Sequence, residues 1–382
     1  MIGQEHAKKV IAVAVYNHYC RLRSLMQQKS AEIESDYGRY NSQPVNETER
    51  TSINKDHVIV PEKSNILLIG PSGSGKTLLA KTVSRLLKVP FAMGDATSLT
   101  EAGYVGEDVD TLLYRLLEKA KFNEAVAQSG IVFLDEVDKI ARAGGGVKGA
   151  PNSGGGRDVG GEGVQHALLK MLEGTVVQVV DKRRPGREYI SFDTSNLLFI
   201  LSGAFVGLEG IVGARSEVAS IGFSKEESGT NQSSESATIS CSPAIVGKNS
   251  SNWMEGLQTT DIISYGLIPE FIGRVPVVAV LEELDEKTLV RTLTEPKNSL
   301  IKQYQHLFEM NGVELVFTDD ALMAIGRISI ESKTGARGLR GIMEKLLLPL
   351  MYDIPSNKNI SRVTIEKEFV EGKSPAKFEY KN

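Results

Sequence analysis

Apolar and polar positions recur along the chain with two different periods, and these periods predict its helices and strands. Residues 4 to 28 carry apolar side chains at helical spacing, which predicts a helix packed on a core. The polar stretch from Ser30 to Lys63 predicts a loop. Short apolar runs predict buried parallel strands at residues 65–70, 130–136 and 196–202. Residues 76–87 again have helical periodicity.

The predicted strands and helices follow each other in an order that is typical of a layered α/β fold. Strands that alternate with helices form a parallel sheet between two helical layers, so we expect a three-layer large domain. In such sheets a ligand binds outside the carboxyl ends of the strands. Gly70, Asp135 and Ser202 come at the ends of three predicted strands. We therefore expect these three residues to lie at one edge of the sheet.

The pattern changes after about residue 282, where helical segments dominate. The predicted elements are helices at residues 285–309 and 319–331, strands at 313–317 and 362–365, and a further helix from about residue 336. Pro349 should kink or end that last helix. The chain is thus predicted to have a large domain, residues 1–281, and a smaller, mostly helical α+β domain, residues 282–382.

Bulk composition narrows the class of protein. The chain of 382 residues is 41% hydrophobic and 24% charged, which is typical of a globular protein with more than one packed unit. Two Gly- and Ser-rich stretches, residues 143–163 and 224–251, cannot bury enough apolar surface to fix their backbone, so we expect mobile loops there. A net charge of −4 gives no electrostatic reason to expect nucleic acid as a partner.

Other classes of site are disfavoured by what the sequence lacks. Its two cysteines are far apart, which supports neither a disulfide framework nor a zinc site. No apolar run has the roughly 18 to 20 residues that a membrane-spanning helix needs, so we expect no membrane partner. The chain begins inside a predicted helix without a recognisable targeting segment, and a shortened N-terminus is one interpretation.

A glycine-rich segment follows the first predicted strand and opens the next predicted helix. It reads Gly70-Pro71-Ser72-Gly73-Ser74-Gly75-Lys76-Thr77, which fits the phosphate-loop pattern. Glycines at these positions let backbone N–H groups surround phosphates at a helix N-terminus. We expect Lys76 to reach the β- and γ-phosphates and Thr77 to bind magnesium. The sequence therefore predicts ATP and Mg²⁺ as cofactors, bound by residues from Gly70 to Leu78.

A pair of carboxylates ends the second predicted strand, in the segment Phe133-Leu134-Asp135-Glu136. Asp135 can hold magnesium, directly or through water, and Glu136 can orient and polarise an attacking water molecule. An apolar strand that ends in two acids is by itself usually a solvated strand terminus. Joined to the phosphate loop, the pair predicts ATP hydrolysis with Lys76 and Glu136 as catalytic residues.

Motifs that follow one another along nearly the whole chain carry a resemblance to a known family. They are Ile2-Gly3-Gln4-Glu5, the phosphate loop, Gly103-Tyr104-Val105-Gly106, Leu134-Asp135-Glu136, Gly266-Leu267-Ile268-Pro269-Glu270-Phe271-Ile272-Gly273-Arg274 and Lys333-Thr334-Gly335-Ala336-Arg337-Gly338-Leu339-Arg340. Together they resemble the ClpX family of AAA+ unfoldases. The resemblance implies an ATP-driven homohexamer that threads unfolded or tagged proteins through a central pore into a ClpP-type peptidase.

The resemblance also implies roles at the nucleotide site. Arg274 matches the arginine finger that reaches into the site of the neighbouring subunit and stabilises the transferred phosphoryl group. Arg337 matches the sensor-2 arginine of the small domain, which contacts the nucleotide. Ser202 either contacts the γ-phosphate as the sensor-1 group or packs at the end of its strand.

The family's contacts with protein partners match further segments. The matching residues are Tyr104 and Val105 in the first pore loop, Arg157 and Val159 in the second, and Ile221, Gly222 and Phe223 in the loop that docks on the peptidase. An exposed aromatic ring suits Tyr104 to sequence-tolerant contact with a threaded chain. Residues 182–184, Lys-Arg-Arg, lie where the family has a basic loop at the pore entrance, although charge runs are more often solvated faces.

Departures from the family pattern limit this transfer. The family's N-terminal zinc domain is absent from this sequence, so adaptor binding is not implied. The Ser-rich stretch 224–251 and the basic loop are more similar to mitochondrial members, which implies the mitochondrial matrix as location, or otherwise the cytoplasm. No peptidase motif is recognisable, so we expect no cleavage of peptide bonds by this chain.

Three other functions are compatible with the same nucleotide site. A remodelling chaperone would unfold proteins without a peptidase. A nucleic-acid motor of the AAA+ class would need a basic DNA-facing surface and would lack the docking segment at residues 221–223. A non-catalytic scaffold would result if a shortened N-terminus abolished nucleotide binding. Protein unfolding coupled to ATP hydrolysis is the function that we predict.

Overall fold

The structure, a computed structural model, describes most of the chain. The described residues are 1–41, 61–100, 107–141, 161–183, 189–223, 253, 256–357 and 359–380, without the side chains of residues 29–41, 100, 107–109 and 216–223. Their helices are α1 Glu5–Asn41, α2 Lys76–Leu87, α3 Val109–Lys119, α4 Glu124–Gln128, α5 Gly161–Glu173, α6 Leu208–Phe223, α7 Thr259–Tyr265, α8 Pro269–Gly273, α9 Glu286–Thr294, α10 Leu300–Glu309, α11 Asp319–Glu331, α12 Ala336–Asp353 and α13 Lys367–Val370. Their strands are β1 Ile66–Ile69, β2 Phe91–Asp95, β3 Leu99–Thr100, β4 Glu107–Asp108, β5 Ile131–Asp135, β6 Val176–Val180, β7 Tyr189–Asp193, β8 Leu198–Gly203, β9 Val277–Val280, β10 Glu314–Phe317, β11 Ile360–Ile365 and β12 Lys377–Tyr380.

A five-stranded parallel sheet lies at the centre of the large domain. Its strand order is β2-β5-β8-β1-β9, and every neighbouring pair is parallel. Because parallel strands share one direction, the carboxyl ends of β1, β5 and β8 meet at one edge, as the sequence predicts. Gly70, Asp135 and Ser202 therefore lie close together, with Leu68 of β1 in register with Ser202 of β8.

Alternate residues of the sheet pack against two different helical layers. Ile66 and Leu68 of β1 face a core to which α1 and α2 contribute, whereas Leu67 and Ile69 face a second core with α3 and α5. All four side chains are buried. The two cores make a three-layer α/β domain, which confirms the predicted fold class. A sheet that is buried on both faces requires continuous apolar runs, and this is why β1, β5 and β8 are recognisable in the sequence.

The C-terminal part of the chain has its own sheet and its own core. Strand β10 pairs with β11 in parallel, and β11 pairs with β12 in the antiparallel direction. Helices α9 to α12 contribute buried residues such as Leu289, Phe308, Ile325 and Met343 to one cluster. This smaller domain confirms the second part of the predicted fold, while the boundary at residue 282 stays a prediction.

The first helix is longer than the sequence predicts. We expect it to end near residue 28, with a loop from Ser30, but α1 continues to Asn41. The expectation is wrong. The polar segment has no apolar periodicity that would indicate a helix, but it contains good helix formers such as Glu32 and Glu34, which allow the helix to continue. Neither α1 nor any other helix in the described parts of the chain is long and apolar enough to cross a membrane.

Prolines have different effects in two parts of the smaller domain. The segment predicted as helical at 285–309 contains two helices, α9 and α10, because Pro296 lies between them and the Ser299 hydroxyl caps α10. Helix α12, by contrast, continues through Pro349 and ends at Asp353. Pro349 therefore does not end the helix.

A histidine is buried where α1 passes the amino-terminal edge of the sheet. His18 is 2% exposed, so its ring is shielded from solvent. Burial, aided by the nearby cations Arg21 and Lys63, lowers the pKa of His18 to about 4. These two cations donate hydrogen bonds to the carbonyl oxygens of Ser195 and Thr194, at 3.5 and 3.0 Å. His18 is therefore neutral in the folded protein at neutral pH.

The buried His18 predicts a loss of stability in mild acid. Because its folded pKa of about 4 lies below the ordinary value of 6.5, the unfolded chain takes up a proton first as the pH falls. The contribution of this group to stability is complete above pH 6.5 and is lost as the pH falls towards 4. The free energy of unfolding should fall by about 3 kcal/mol over that interval, measured by urea denaturation.

A second, exposed histidine provides the control. In His18→Leu the pH dependence due to this group should vanish. The side chain of His306 is 73% exposed, and in His306→Gln the loss of stability in acid should persist. An unchanged loss of stability in acid for His18→Leu would contradict the assignment.

Candidate nucleotide site

The phosphate loop, residues 70–77, joins the end of β1 to the start of α2. Gly73 and Gly75 have φ angles of +81° and +99°, in the left-handed region that other residues rarely adopt. A Cβ on Gly70 would lie 2.6 Å from the carbonyl oxygen of Leu281, so this position has no room for a side chain. The loop can therefore turn tightly and present backbone N–H groups at the N-terminus of α2, where anions bind favourably.

Lys76, the first residue of α2, is buried and directed towards its own loop. Its Nζ donates hydrogen bonds to the carbonyl oxygens of Gly70 at 2.5 Å and Pro71 at 2.9 Å. Burial lowers the pKa of Lys76, while the carboxylates of Asp135 and Asp138 act in the opposite direction. A phosphate group in place of the two carbonyl oxygens would give the ammonium a charged partner.

The Asp135 carboxylate joins three segments at the edge of the sheet. Its Oδ2 accepts a hydrogen bond from Thr77 Oγ1 at 3.3 Å. Its Oδ1 accepts hydrogen bonds from Ser202 Oγ and from Glu136 N–H, the latter at 3.1 Å. Hydroxyl and carboxylate oxygens are the hard ligands that Mg²⁺ prefers. Thr77 and Asp135 therefore fit a magnesium ion beside the phosphate loop.

Glu136 starts the turn that follows β5. Its φ angle of 58° lies in the left-handed region, and it precedes the 3₁₀ turn Val137–Ile140. Left-handed residues other than glycine are concentrated at functional sites. The side chain of Glu136 lines the same cavity as the phosphate loop, where a carboxylate can accept a proton from a water molecule.

Asp138 also belongs to this site, although no motif in the sequence marks it. It is 5% exposed, and its Oδ1 accepts a hydrogen bond from Ala204 N–H at 3.2 Å. Its Oδ2 has no hydrogen-bond partner within the described residues and lies 3.5 Å from Lys139 Nζ. Asp138 thus fixes the end of β8 to the turn after Glu136. The signal in the sequence is weak because acids are common in solvated turns.

A cavity of about 340 Å³ is lined by both domains. The predicted nucleotide-binding residues that line it are Ser72, Gly73, Gly75, Lys76, Thr77, Leu78, Asp135 and Arg337. Gly70, Pro71 and Ser74 belong to the loop but not to the cavity wall. A Cβ on Gly73 would lie 2.5 Å from the carbonyl oxygen of Thr334, so the phosphate loop contacts the segment before α12. The cavity thus combines backbone donors with acidic and basic groups.

Arg274 is not part of this cavity. It follows α8, and its Nε and Nη2 donate hydrogen bonds to Glu173 Oε1 at 3.2 and 3.0 Å. Its side chain is 55% exposed. Its carbonyl oxygen accepts a hydrogen bond from Asn65 Nδ2 at 2.8 Å, at the amino-terminal edge of the sheet. The guanidinium group therefore lies at the surface, away from the phosphate loop of its own chain.

The residues predicted to contact protein partners are described only in part. Those outside the described residues are Tyr104, Val105, Arg157 and Val159. Residues 143–160 and 224–251, predicted as mobile loops, also lie outside them, whereas residues 161–163 belong to α5, so the prediction of a loop is wrong for these three. Ile221, Gly222 and Phe223 form the last turn of α6. The expectation of a loop at these three positions is wrong, because good helix formers precede them and carry the helix to its end at Phe223.

The described part of the basic segment packs on its own domain. Arg183 forms an ion pair with Asp181 at 2.7 Å, and its guanidinium lies 3.3 Å from the centroid of the Phe122 ring. Lys182 Nζ lies 5.2 Å from the centroid of the Tyr114 ring. Arg183 is therefore held against the large domain and is not a freely solvated charge.

Known proteins resemble this chain along both domains. A family model for the AAA domain (Cdc48 subfamily) matches residues 61–278, and one for the C-terminal, D2-small domain of ClpB protein matches residues 284–366. The chain is similar to the ATP-dependent Clp protease ATP-binding subunit ClpX 2 of Wolinella succinogenes, with 45% identity over 379 residues. This similarity covers 98% of the chain and 80% of that protein.

The hydrogen bond from Ser202 to Asp135 predicts a role in hydrolysis without direct contact with the cavity. Ser202→Ala removes a hydroxyl donor from the half-buried Asp135 carboxylate, which loosens the position of Asp135. We expect kcat for ATP hydrolysis to fall about tenfold, with little change in the affinity for a fluorescent ATP analogue. Ser84, on α2, is also a buried serine, and Ser84→Ala should keep the wild-type rate. Equal losses in the two variants would count against this role.

Proposed function

Because the chain belongs to the ClpX family of AAA+ ATPases, we propose that it is an ATP-dependent unfoldase and translocase. In this proposal a homohexamer threads unfolded or tagged proteins through its pore into a ClpP-type peptidase. The chain itself is an ATPase and not a peptidase. The observation that carries the proposal is the cavity where the phosphate loop, the acidic turn after β5 and Arg337 meet.

The groups around the cavity have separate tasks in ATP hydrolysis. The N–H groups of the phosphate loop and the Lys76 ammonium bind the phosphates. Thr77 and Asp135 would hold Mg²⁺, which neutralises phosphate charge when it is bound. Glu136 accepts a hydrogen bond from the attacking water and takes its proton. The chain thus supplies phosphate binding, orientation and a general base from neighbouring positions.

Contact between the two domains allows ATP hydrolysis to change the angle between them. Arg337 belongs to the small domain and lines the cavity, while Thr334 contacts Gly73 of the phosphate loop. A cation beside the γ-phosphate loses an attractive partner when that phosphate leaves. The preferred angle between the domains would then depend on the nucleotide, which is how we propose that force reaches the pore.

Arg274 acts on the neighbouring subunit in this proposal. It is exposed and is held by Glu173 at a surface away from its own cavity. An arginine supplied from another subunit can stabilise charge on the transferred phosphoryl group and raise the rate by on the order of 10³ to 10⁵. Each nucleotide site is then incomplete without the next subunit, which makes hydrolysis depend on the ring.

Contacts with protein partners are assigned from the family resemblance. Tyr104 and Val105 form the first pore loop, and Arg157 and Val159 form the second. A bulky ring can push on many different sequences because it contacts backbone and side chains alike. The segment 221–223 docks on the peptidase.

The mitochondrial matrix is proposed as the location on the same resemblance, with the cytoplasm as the other possibility. The Ser-rich stretch 224–251 and the basic segment 182–184 support the mitochondrial assignment. The similar protein from Wolinella succinogenes gives it no support, because that organism is a bacterium.

Degradation of a tagged, folded reporter tests the proposal. With ATP, Mg²⁺ and a ClpP-type peptidase, the wild-type protein should degrade the reporter. Glu136→Gln should lower ATP hydrolysis by on the order of a hundredfold, because the attacking water loses its base. Tyr104→Ala should stop degradation while ATP is still hydrolysed, because the grip on the substrate is lost. Reporter fluorescence and phosphate release are measured together.

Matched substitutions in the small domain provide the controls. Glu309→Gln and Tyr380→Ala change the same side-chain types at exposed positions, and both variants should degrade the reporter at the wild-type rate. Unfolding without any need for a peptidase would favour a remodelling chaperone. ATPase stimulation by DNA, but not by unfolded protein, would favour a nucleic-acid motor. A protein that binds no ATP would act as a scaffold.

The variant Phe223→Ala tests docking on the peptidase independently of the unfolding of the reporter. If residues 221–223 dock on the peptidase, the variant should hydrolyse ATP and unfold the reporter normally. Degradation should fall at least about tenfold, because a buried aromatic anchor often dominates an interface. Met310→Ala, at an exposed apolar position of the small domain, should have no effect. Normal degradation by Phe223→Ala would remove the docking assignment and leave the unfoldase assignment intact.

A further inference from the structure

Gln165, in the first half of α5, links two parts of the large domain that are far apart in the sequence. Its side chain is fully buried. Its Nε2 donates a hydrogen bond to the carbonyl oxygen of Ile140 at 2.7 Å, and its Oε1 accepts one from Ile268 N–H at 2.9 Å. One amide therefore uses both of its ends on backbone groups that lie 25 residues before and 103 residues after it.

The first partner belongs to the turn that follows Glu136. Ile140 is the last residue of this turn, and Lys139 N–H closes it by donating a hydrogen bond to the carbonyl oxygen of Glu136 at 3.0 Å. Val137 and Ile140 are buried, which restricts the movement of the turn as a separate unit. Gln165 is thus connected, through a few covalent and hydrogen bonds, to the residue that orients water in the proposed reaction.

The second partner belongs to the short helix that leads to Arg274. Ile268 is the N-cap of α8, and its carbonyl oxygen accepts hydrogen bonds from the N–H groups of Phe271 and Ile272. Arg274 N–H in turn donates to the carbonyl oxygen of Phe271 at 3.2 Å. Phe271 and Ile272 are buried, so the helix cannot rotate without repacking the core. A fixed Ile268 therefore fixes the point from which the Arg274 side chain extends.

Helix α5 holds the side chain of Arg274 as well. Glu173 lies about two turns after Gln165 on the same helix and accepts both guanidinium hydrogen bonds. The backbone of Arg274 is thus positioned through Gln165 and Ile268, and its guanidinium group through Glu173. Both supports come from one helix that also contacts the turn after Glu136.

We infer that Gln165 is a positioning residue for Arg274, and that it ties the arginine offered to the next subunit to the Glu136 turn of its own subunit. This inference rests on the proposed function, in which Arg274 acts across the subunit interface. When the turn moves with the state of its own nucleotide, the carbonyl oxygen of Ile140 moves with it. Because the amide has a fixed length, the start of α8 follows. The nucleotide of one subunit thereby sets the hydrolysis rate in its neighbour.

A stabilising role alone would give a different result from a positioning role. Loss of a buried amide leaves backbone groups unsatisfied and lowers the amount of folded protein, which reduces the number of ATP-binding sites and the turnover by the same factor, so that kcat per bound nucleotide stays that of the wild type. Gln165 does not line the nucleotide cavity, so a positioning role should leave the affinity for ATP unchanged and lower kcat. The kcat of the defective subunit should also recover beside a neighbour with an intact Arg274.

The test begins with Gln165→Met, which keeps the shape of the side chain and removes both hydrogen bonds. We expect kcat for ATP hydrolysis to fall by on the order of ten- to a hundredfold, with KM for ATP changed by less than about twofold. Gln305→Met is the matched control, because Gln305 Nε2 donates to the carbonyl oxygen of Leu315 in the small domain. It should keep the wild-type kcat. Should Gln165→Met not assemble, Gln165→Leu, which also removes both hydrogen bonds, serves in its place.

Mixed assemblies then distinguish the subunit that binds the nucleotide from the neighbour that supplies Arg274. Subunits with Glu136→Gln should hydrolyse their own ATP on the order of a hundredfold more slowly, but they still offer an intact Arg274. Mixed with Gln165→Met subunits, they should restore hydrolysis well above the rate of either variant alone. Arg274→Ala mixed with Glu136→Gln should behave in the same way, and it tests the action of Arg274 across the interface independently of Gln165.

Each outcome decides between the assignments. Recovery in both mixtures supports the inference. Recovery with Arg274→Ala but none with the Gln165 variant overturns the inference and leaves the role of Arg274 intact. No recovery in either mixture overturns the action of Arg274 across the interface, and the inference with it. A wild-type kcat in Gln165→Met also overturns the inference, whatever the mixtures give.

Discussion

Three hydrogen bonds to one carboxylate, that of Asp135, hold the nucleotide site together. Their donors are the hydroxyl of Thr77 at the start of α2, the hydroxyl of Ser202 on β8 and the N–H of Glu136, the residue after Asp135. Hydrogen bonds to a carboxylate are stronger than those between neutral groups, but the bonds from Thr77 and Ser202 can form only if β1, β5 and β8 end at the same level. The order and the parallel direction of the sheet meet this requirement. A shift of one residue in β5 or β8 would direct the side chain of Asp135 or Ser202 to the opposite face of the sheet.

The same edge of the sheet also limits how the small domain can approach. Gly70 leaves no space for a Cβ against Leu281, and Gly73 leaves none against Thr334. The chain thus returns to the phosphate loop twice, once where it leaves the large domain and once just before α12. Close packing at both places means that a change in the loop cannot be absorbed locally. Arg337 lies at the second of these contacts, so the charge of the nucleotide acts where the two domains already touch.

The parts of the structure that the sequence predicts are those in which local chemistry and local pattern agree. The phosphate loop lies between a buried strand and a helix, and β1, β5 and β8 are apolar on both faces because two helical layers cover them. The hairpin β6–β7 is not among the predicted strands, because half of its side chains are exposed and Gln178 interrupts the apolar residues of β6. Gln165 and Asp138 escape prediction for another reason. Their partners lie far away in the sequence, and an isolated amide or acid in a helix or turn has no pattern that identifies it.

Strand β1 connects the phosphate loop to Arg274. In the proposed ring, the residues at its two ends act in the nucleotide sites of different subunits. Its carboxyl end continues into the phosphate loop, while Asn65, directly before it, donates a hydrogen bond to the carbonyl oxygen of Arg274. Four residues of extended chain span roughly 13 Å, so the nucleotide site is separated by one short, fully buried strand from Arg274, which we propose acts on the next subunit. Strand β9 runs parallel to it from just after Arg274 to Leu281, at the phosphate loop. The sheet therefore acts as a rigid frame between the two, and any relative movement must come from the elements joined to its ends. Among these elements, the turn after Glu136 and helix α8 share a direct link through Gln165.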